Sequence, residues 1–173
     1  MIVWLNGTFG AGKTTTAKEL SALLPDARVF DSEYVGFMLR HVLGSVPVDD
    51  FQDWPPWRGL VVETAAQVHA YVGGTLVVPQ SVLVEAYWQE LRTGLEKAGL
   101  PVHLVLLHAD DDTLRRRIDG DTVEAGARQW RLDHLAPYAE ALPWLRPAAD
   151  TVVDTAGAEP RAVAERIAAA LSA

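Results

Sequence analysis

Five short apolar runs punctuate the chain, at residues 2–6, 28–31, 75–79, 102–108 and 151–154, each bounded by turn-forming residues. The clearest is Val102-His103-Leu104-Val105-Leu106-Leu107, apolar on both faces as a central parallel strand must be. Between the runs the period lengthens. Ala17, Leu20 and Leu24 share one face of a segment from Thr15 to Leu24, closed by Pro25. Trp88, Leu91, Leu95 and Ala98 form a second stripe, ended by Gly99 and Pro101. Val163, Ile167 and Leu171 line a C-terminal helix with Pro160 in its first turn. Trp54-Pro55-Pro56-Trp57 reads as a loop entering a helix. Strand–helix alternation predicts a three-layer α/β/α fold. Its five-stranded parallel sheet would carry helices on both faces and ligands at the carboxyl ends of the strands.

Composition narrows the class. A chain of 173 residues makes a single domain with a substantial core, and 49% hydrophobic residues make it globular. The net charge of −8 argues against general nucleic-acid binding. Without cysteine there are no disulfides, thiolate metal sites or cysteine nucleophiles. No apolar run approaches the roughly 20 residues of a membrane span, and the first residues do not read as a signal peptide. A cytoplasmic protein is the default expectation; the pattern implies no particular oligomeric state.

The strongest local signal is Gly7-Thr8-Phe9-Gly10-Ala11-Gly12-Lys13-Thr14, which fits GxxxxGK[ST] at every fixed position between a strand and a helix opening at Thr15. Glycines let the backbone curl so that its N–H groups converge on phosphate oxygens, and the helix N-terminus adds positive potential. Lys13 would reach the β- and γ-phosphates of ATP, and the Thr14 hydroxyl would hold Mg²⁺.

Other positions could complete a site. Asp31, read as ending the second strand, would face the γ-phosphate, accept the proton of an attacking hydroxyl and help organise hydrated Mg²⁺. Asp31 or Ser32 could equally be a helix cap. The third strand ends Val77-Val78-Pro79-Gln80, without the magnesium-binding aspartate many phosphate-loop proteins place there; Gln80 could contact ligand or be structural. Arg115, Arg116, Arg117, Arg128 and Arg131 flank a polar stretch, which suggests a lid over about 115–132, or else a solvated helix face. Phe51, Trp54, Trp57 and Arg58 suggest a substrate pocket, although either tryptophan could cover the core. The histidines show no metal-ligand spacing.

The loop, Phe30-Asp31-Ser32-Glu33 and the arginine lid resemble the small-molecule kinases of the shikimate and gluconate kinase type. That resemblance implies an ATP- and Mg²⁺-dependent phosphotransferase. Asp31 would serve the acceptor hydroxyl and Arg117 the developing charge, and Val152 to Gly157 would lie near the adenine. A closer resemblance, clear to about residue 118, is to the tunicamycin-resistance proteins. It rests on residues 2–14, Gly36-Phe37-Met38-Leu39-Arg40, Val77-Val78-Pro79, Tyr87 to Leu91 and, most distinctively, Asp49-Asp50-Phe51-Gln52-Asp53-Trp54-Pro55-Pro56-Trp57-Arg58. It implies an ATP-binding protein acting on a nucleoside antibiotic that carries sugars and a fatty acyl chain. Phe37, Phe51, Trp54 and Trp57 would offer stacking and apolar surface; Glu33, Arg40, Arg58 and Gln80 would offer hydrogen bonds. Two alternatives fit the same residues: ATP-gated sequestration without chemistry, and a kinase for another small metabolite.

Overall fold

The computed structural model describes residues 1–122 and 125–172. Five parallel strands, β1 (Ile2–Asn6), β2 (Ala27–Val29), β3 (Thr75–Pro79), β4 (Val102–His108) and β5 (Thr151–Asp154), form one sheet in the order β2-β3-β1-β4-β5. Val3 is in register with Val77 on one side and His103 on the other. Four of the five expected runs coincide with strands at both ends. The second stops at Val29, although the Phe30 N–H still donates to the Val77 carbonyl at 2.8 Å. Asp31 therefore stands two residues past the strand rather than at its end.

The helices follow from the connections. The step from β1 to β2 runs one way along the sheet through α1 (Lys13–Leu23). All later steps run the other way, through α2 (Glu33–Val42) and α3 (Pro55–Val72), then α4 (Glu85–Lys97), then α5 (Asp111–Asp119), α6 (Arg128–Asp133) and α7 (Leu135–Ala148). Right-handed crossovers therefore place α1 on one face, where it packs against α8 (Pro160–Leu171), and α3, α4 and α7 on the other. The direction reverses between β1 and β3, and open α/β sheets bind their ligands at such a reversal. Ile2, Val3, Trp4 and Leu5 are wholly buried there, and the Trp4 ring meets Trp88 edge-on at 5.4 Å. The tryptophan–proline run behaves as expected: one 3-10 turn (Phe51–Asp53) leads into α3, whose first position is Pro55.

Candidate functional site

The site is built first by Asn6. Fully buried at the end of β1, its Oδ1 accepts from Gly7 N (2.8 Å) and Val82 N (3.0 Å), while Nδ2 donates to the Val82 carbonyl (2.8 Å). Ser81 Oγ donates to the Gly7 carbonyl at 2.6 Å. One amide thus ties the loop after β1 to the segment after β3. Gly7, at φ 145°, passes so close to β4 that a Cβ there would stand 2.5 Å from the Leu107 carbonyl oxygen.

Behind this loop α1 starts at Lys13 with no side-chain cap and no acidic residue in its first turn. By contrast α5 is capped by Asp110, whose carboxylate accepts from Thr113 N at 2.8 Å. The first turn of α1 therefore keeps its donors and positive end for an anion, and Lys13, Thr14 and Thr15 line a cavity of about 670 Å³. This donor set fits a polyphosphate with a magnesium ion beside it. Lys13 Nζ donates to the Thr8 carbonyl (3.0 Å) and lies 5.2 Å from the centre of the Phe9 ring. Burial brings its pKa down to about 8; the charge of Glu33 opposes that fall and the charge of Arg131 adds to it.

Facing the loop, the cavity is walled by Glu33, Phe37, Arg40, the 49–53 segment and Tyr87, with Gln80 and Ser81 between. Gln52 is buried and donates from Nε2 to the Ser81 carbonyl (2.9 Å). Asp50 Oδ1 accepts from Gln52 N (2.9 Å), and burial raises the Asp50 pKa. The Tyr87 hydroxyl donates to Asp53 Oδ1 (3.0 Å). On a third side stand Asp121, Trp130, Arg131 and His134. The Phe9 ring packs on Trp130 (4.8 Å) and His134 (5.2 Å), and Arg131 pairs with Asp121 at 2.6 Å. Within the expected lid, Val123 and Glu124 lie outside the described residues.

Several expected site residues sit elsewhere. Trp57 is fully buried, donates to the Ser32 carbonyl (3.2 Å) and packs on Phe51 (5.2 Å). Trp54 is buried too and donates to the Val46 carbonyl (3.1 Å). Neither lines the main cavity; their indole N–H groups found backbone partners inside the fold. Arg58 is a support for that wall rather than part of it. It pairs with Glu90 (2.6 Å), donates to the Gln52 carbonyl and covers the Tyr87 ring at 4.2 Å. Arg117 is pinned to the Gly10 carbonyl (3.0 Å), Thr155 Oγ1 (3.0 Å) and the Thr155 carbonyl (2.6 Å), so Arg131 is the lid arginine on the cavity wall. Asp31 Oδ1 accepts from Glu33 N (3.0 Å), which starts α2, and Glu33 rather than Asp31 lines the cavity. Ser32 Oγ donates to Gln80 Oε1 (2.9 Å), so Gln80 is both wall and brace. Phe9, Gly10, Gly12, Phe37, Arg40 and Phe51 line the cavity, whereas Thr8 and Ala11 are buried in the turn of the loop. Trp130 and His134 carried no signal in the sequence.

A family model described as an AAA domain matches residues 2–132. The chain is similar to the solved tunicamycin resistance protein of Deinococcus radiodurans, with 33% identity over 98% of this chain and 94% of that one, and a TM-score of 0.75. It shares its fold with Mycobacterium tuberculosis APS kinase in complex with AMPPNP and APS (22% identity, 99% and 97% covered, TM-score 0.64). The same holds for Acinetobacter baumannii shikimate kinase in complex with shikimate (15% identity, 98% and 92% covered, TM-score 0.63). No curated protein sequence matches. The first 132 residues carry the phosphate loop, the facing wall and Arg131 together, and the chain belongs to the AAA-domain family of phosphate-loop proteins and, within it, to the tunicamycin-resistance proteins with their kinase-like fold.

Proposed function

We propose that this protein protects against tunicamycin by transferring the γ-phosphoryl group of ATP to a hydroxyl of the antibiotic. The observation that supports this is one cavity with a phosphate loop at one end and an aromatic, hydrogen-bonding wall at the other. Lys13 and the first turn of α1 would hold the phosphates; Arg117, beside Gly10 and Thr155, would support the adenine side. Mg²⁺ would be held by Thr14, with Asp31 behind its water shell, and would neutralise phosphate charge. Among the described residues no group of three acids or histidines gathers to hold a metal, so water and phosphate oxygens would supply its remaining ligands.

In the transfer, the acceptor oxygen bonds to the γ-phosphorus as the bond to the β–γ bridging oxygen breaks, and ADP leaves. The hydroxyl proton passes to the Glu33 carboxylate on the cavity wall, and Arg131 faces the charge that develops on the phosphoryl oxygens. Phe37, Phe51, Arg40 and Gln80 orient the acceptor molecule. Mass spectrometry of tunicamycin incubated with protein and MgATP should show one added phosphate, lost in Lys13→Ala and in Glu33→Gln. An unmodified antibiotic at saturating MgATP would sink the transfer.

The engagement of Asp31 with the start of α2 favours a second reading, ATP-gated sequestration. Stoichiometric protection of cells, retained in Asp31→Asn and Glu33→Gln but lost in Lys13→Ala, would establish it.

A further inference from the structure

Helix α2 is apolar on more than the side that packs. Val35, Gly36 and Leu39 are buried, and Glu33 and Arg40 line the cavity. On the solvent side Tyr34, Met38 and Val42 follow one another at four-residue spacing, one row along the helix, and are 71%, 50% and 72% exposed. Phe37 flanks the row, half-exposed, with its ring edge-on to Tyr34 at 5.9 Å. Val29 before the helix and Val46 after it are exposed too. Six of the ten exposed large apolar side chains among the described residues thus fall between positions 29 and 46, which sets this segment apart from the rest of the surface. A helix whose solvent side is apolar is one that something covers.

We propose that this row is a contact between two copies of the chain, with α2 lying antiparallel on the partner's α2 about a two-fold axis at Met38. The row is symmetric about that residue. Tyr34 stands opposite the partner's Val42 and Met38 opposite the partner's Met38, as a self-complementary interface requires. Charge agrees. Asp31 and Glu33 stand at the N-terminal end of α2, and Arg40 and His41 in its last turn. Antiparallel packing brings the acidic end of each helix toward the basic end of the other and sets their dipoles in opposition. From Tyr34 to Val48 there is no acid, although the chain carries a net charge of −8, so the row brings no carboxylate against another. A lipid surface fits less well. Interfacial helices carry several lysines and arginines, whereas residues 30–57 hold one, Arg40, among five acids. The contact bears on the site, because the Tyr34 ring that it covers packs against Phe37 on the cavity wall. It does not depend on which reaction the cavity performs.

The test uses the absence of cysteine from the chain. Met38→Cys should give a disulfide-linked dimer on mild oxidation, because a residue at a two-fold axis meets its own copy. Tyr71→Cys, at a 91% exposed position on α3, should not cross-link under the same conditions. Sedimentation of the wild type should show a dimer that dissociates on dilution. Met38→Asp should raise its dissociation constant by at least about tenfold, since each new carboxylate then faces another. Equal cross-linking of the two cysteine variants overturns the proposal, as does a wild type that stays monomeric up to about 1 mM. A dimer left intact by Met38→Asp puts the interface elsewhere and overturns it too. If the wild type instead co-sediments as a monomer with phosphatidylglycerol vesicles, and Met38→Asp does not, the face is a membrane contact and the proposal falls.

Discussion

The two ends of the cavity are made by different means. The phosphate end is backbone geometry: a positive-φ glycine against β4, a buried asparagine that fixes two loops, and a helix that starts without a cap. The facing end is side-chain packing. Phe51 lies against α2, where Gly36 makes room; a Cβ at 36 would stand 2.7 Å from the ring. Trp57 and Arg58 then hold Phe51 and Gln52 in place from behind. A backbone-built end tolerates few residue types but needs few of them. A side-chain-built end can change what it binds by changing the residues in front, provided those behind are kept.

The sharpest way to break that division is to remove a residue from behind the wall and one from its front. Trp57→Ala should cost about 3–5 kcal/mol of stability by urea unfolding, because a fully buried ring and its hydrogen bond are lost. Phe37→Ala, 44% exposed on the cavity wall, should cost less than about 1 kcal/mol and weaken acceptor binding instead. Comparable losses from the two would show that the aromatic wall is all core. At the other end Lys13→Met should weaken MgATP binding by about a hundredfold or more, read by calorimetry. Its thermal midpoint without nucleotide should rise, because a cation desolvated enough to bring its pKa down to about 8 has been removed.

A smaller effect separates the two arginines. Arg131→Ala should lower the rate of the proposed transfer by about ten- to a hundredfold with little change in nucleotide KM. Arg117→Ala frees the Gly10 and Thr155 carbonyls and should raise nucleotide KM by about tenfold with kcat less affected. The reverse pattern would restore Arg117 to the reacting phosphate and move Arg131 to a supporting role.

These arginines show how far the sequence could be read. The sheet was legible because a buried parallel strand needs apolar residues on both faces, and only the short edge strand β2 was misjudged, by two residues at its end. The phosphate loop was legible because its function is its backbone, and few residue types permit that backbone. Residues whose role depends on where a long side chain ends were not legible. Arg117 and Arg131 are equally plausible in a string, and a carbonyl 107 residues away in sequence claims the first. Trp54 and Trp57 drew attention as aromatics in a loop, but the partners of their N–H groups, Val46 and Ser32, decide which way the rings face. Tyr87 and Gln52 reach the cavity because Arg58 braces them both, which no local pattern records.

The finest test of the comparison is pH, which acts on one charge at the phosphate end. The Lys13 pKa is lowered by burial to about 8 in the folded protein, against 10.5 ordinarily. As pH rises through 8 the free protein loses the ammonium that a polyphosphate requires. ATP affinity should therefore fall by up to about tenfold between pH 7 and 9 in wild type and stay flat in Lys13→Met. Stability without nucleotide must run the other way. From about pH 8 to 10.5 the unfolded chain binds more protons at this lysine than the folded one, so stability rises with pH there. The difference between wild type and Lys13→Met should narrow by about 1–2 kcal/mol from pH 8 to pH 10. The measurement has to stop near pH 10, because Tyr138, pushed up to about 12 by burial, contributes a fall in stability above that point. An ATP affinity unchanged from pH 7 to 9 would mean that the lysine is solvated in the free protein and that its contact with the Thr8 carbonyl is not the resting state of the loop.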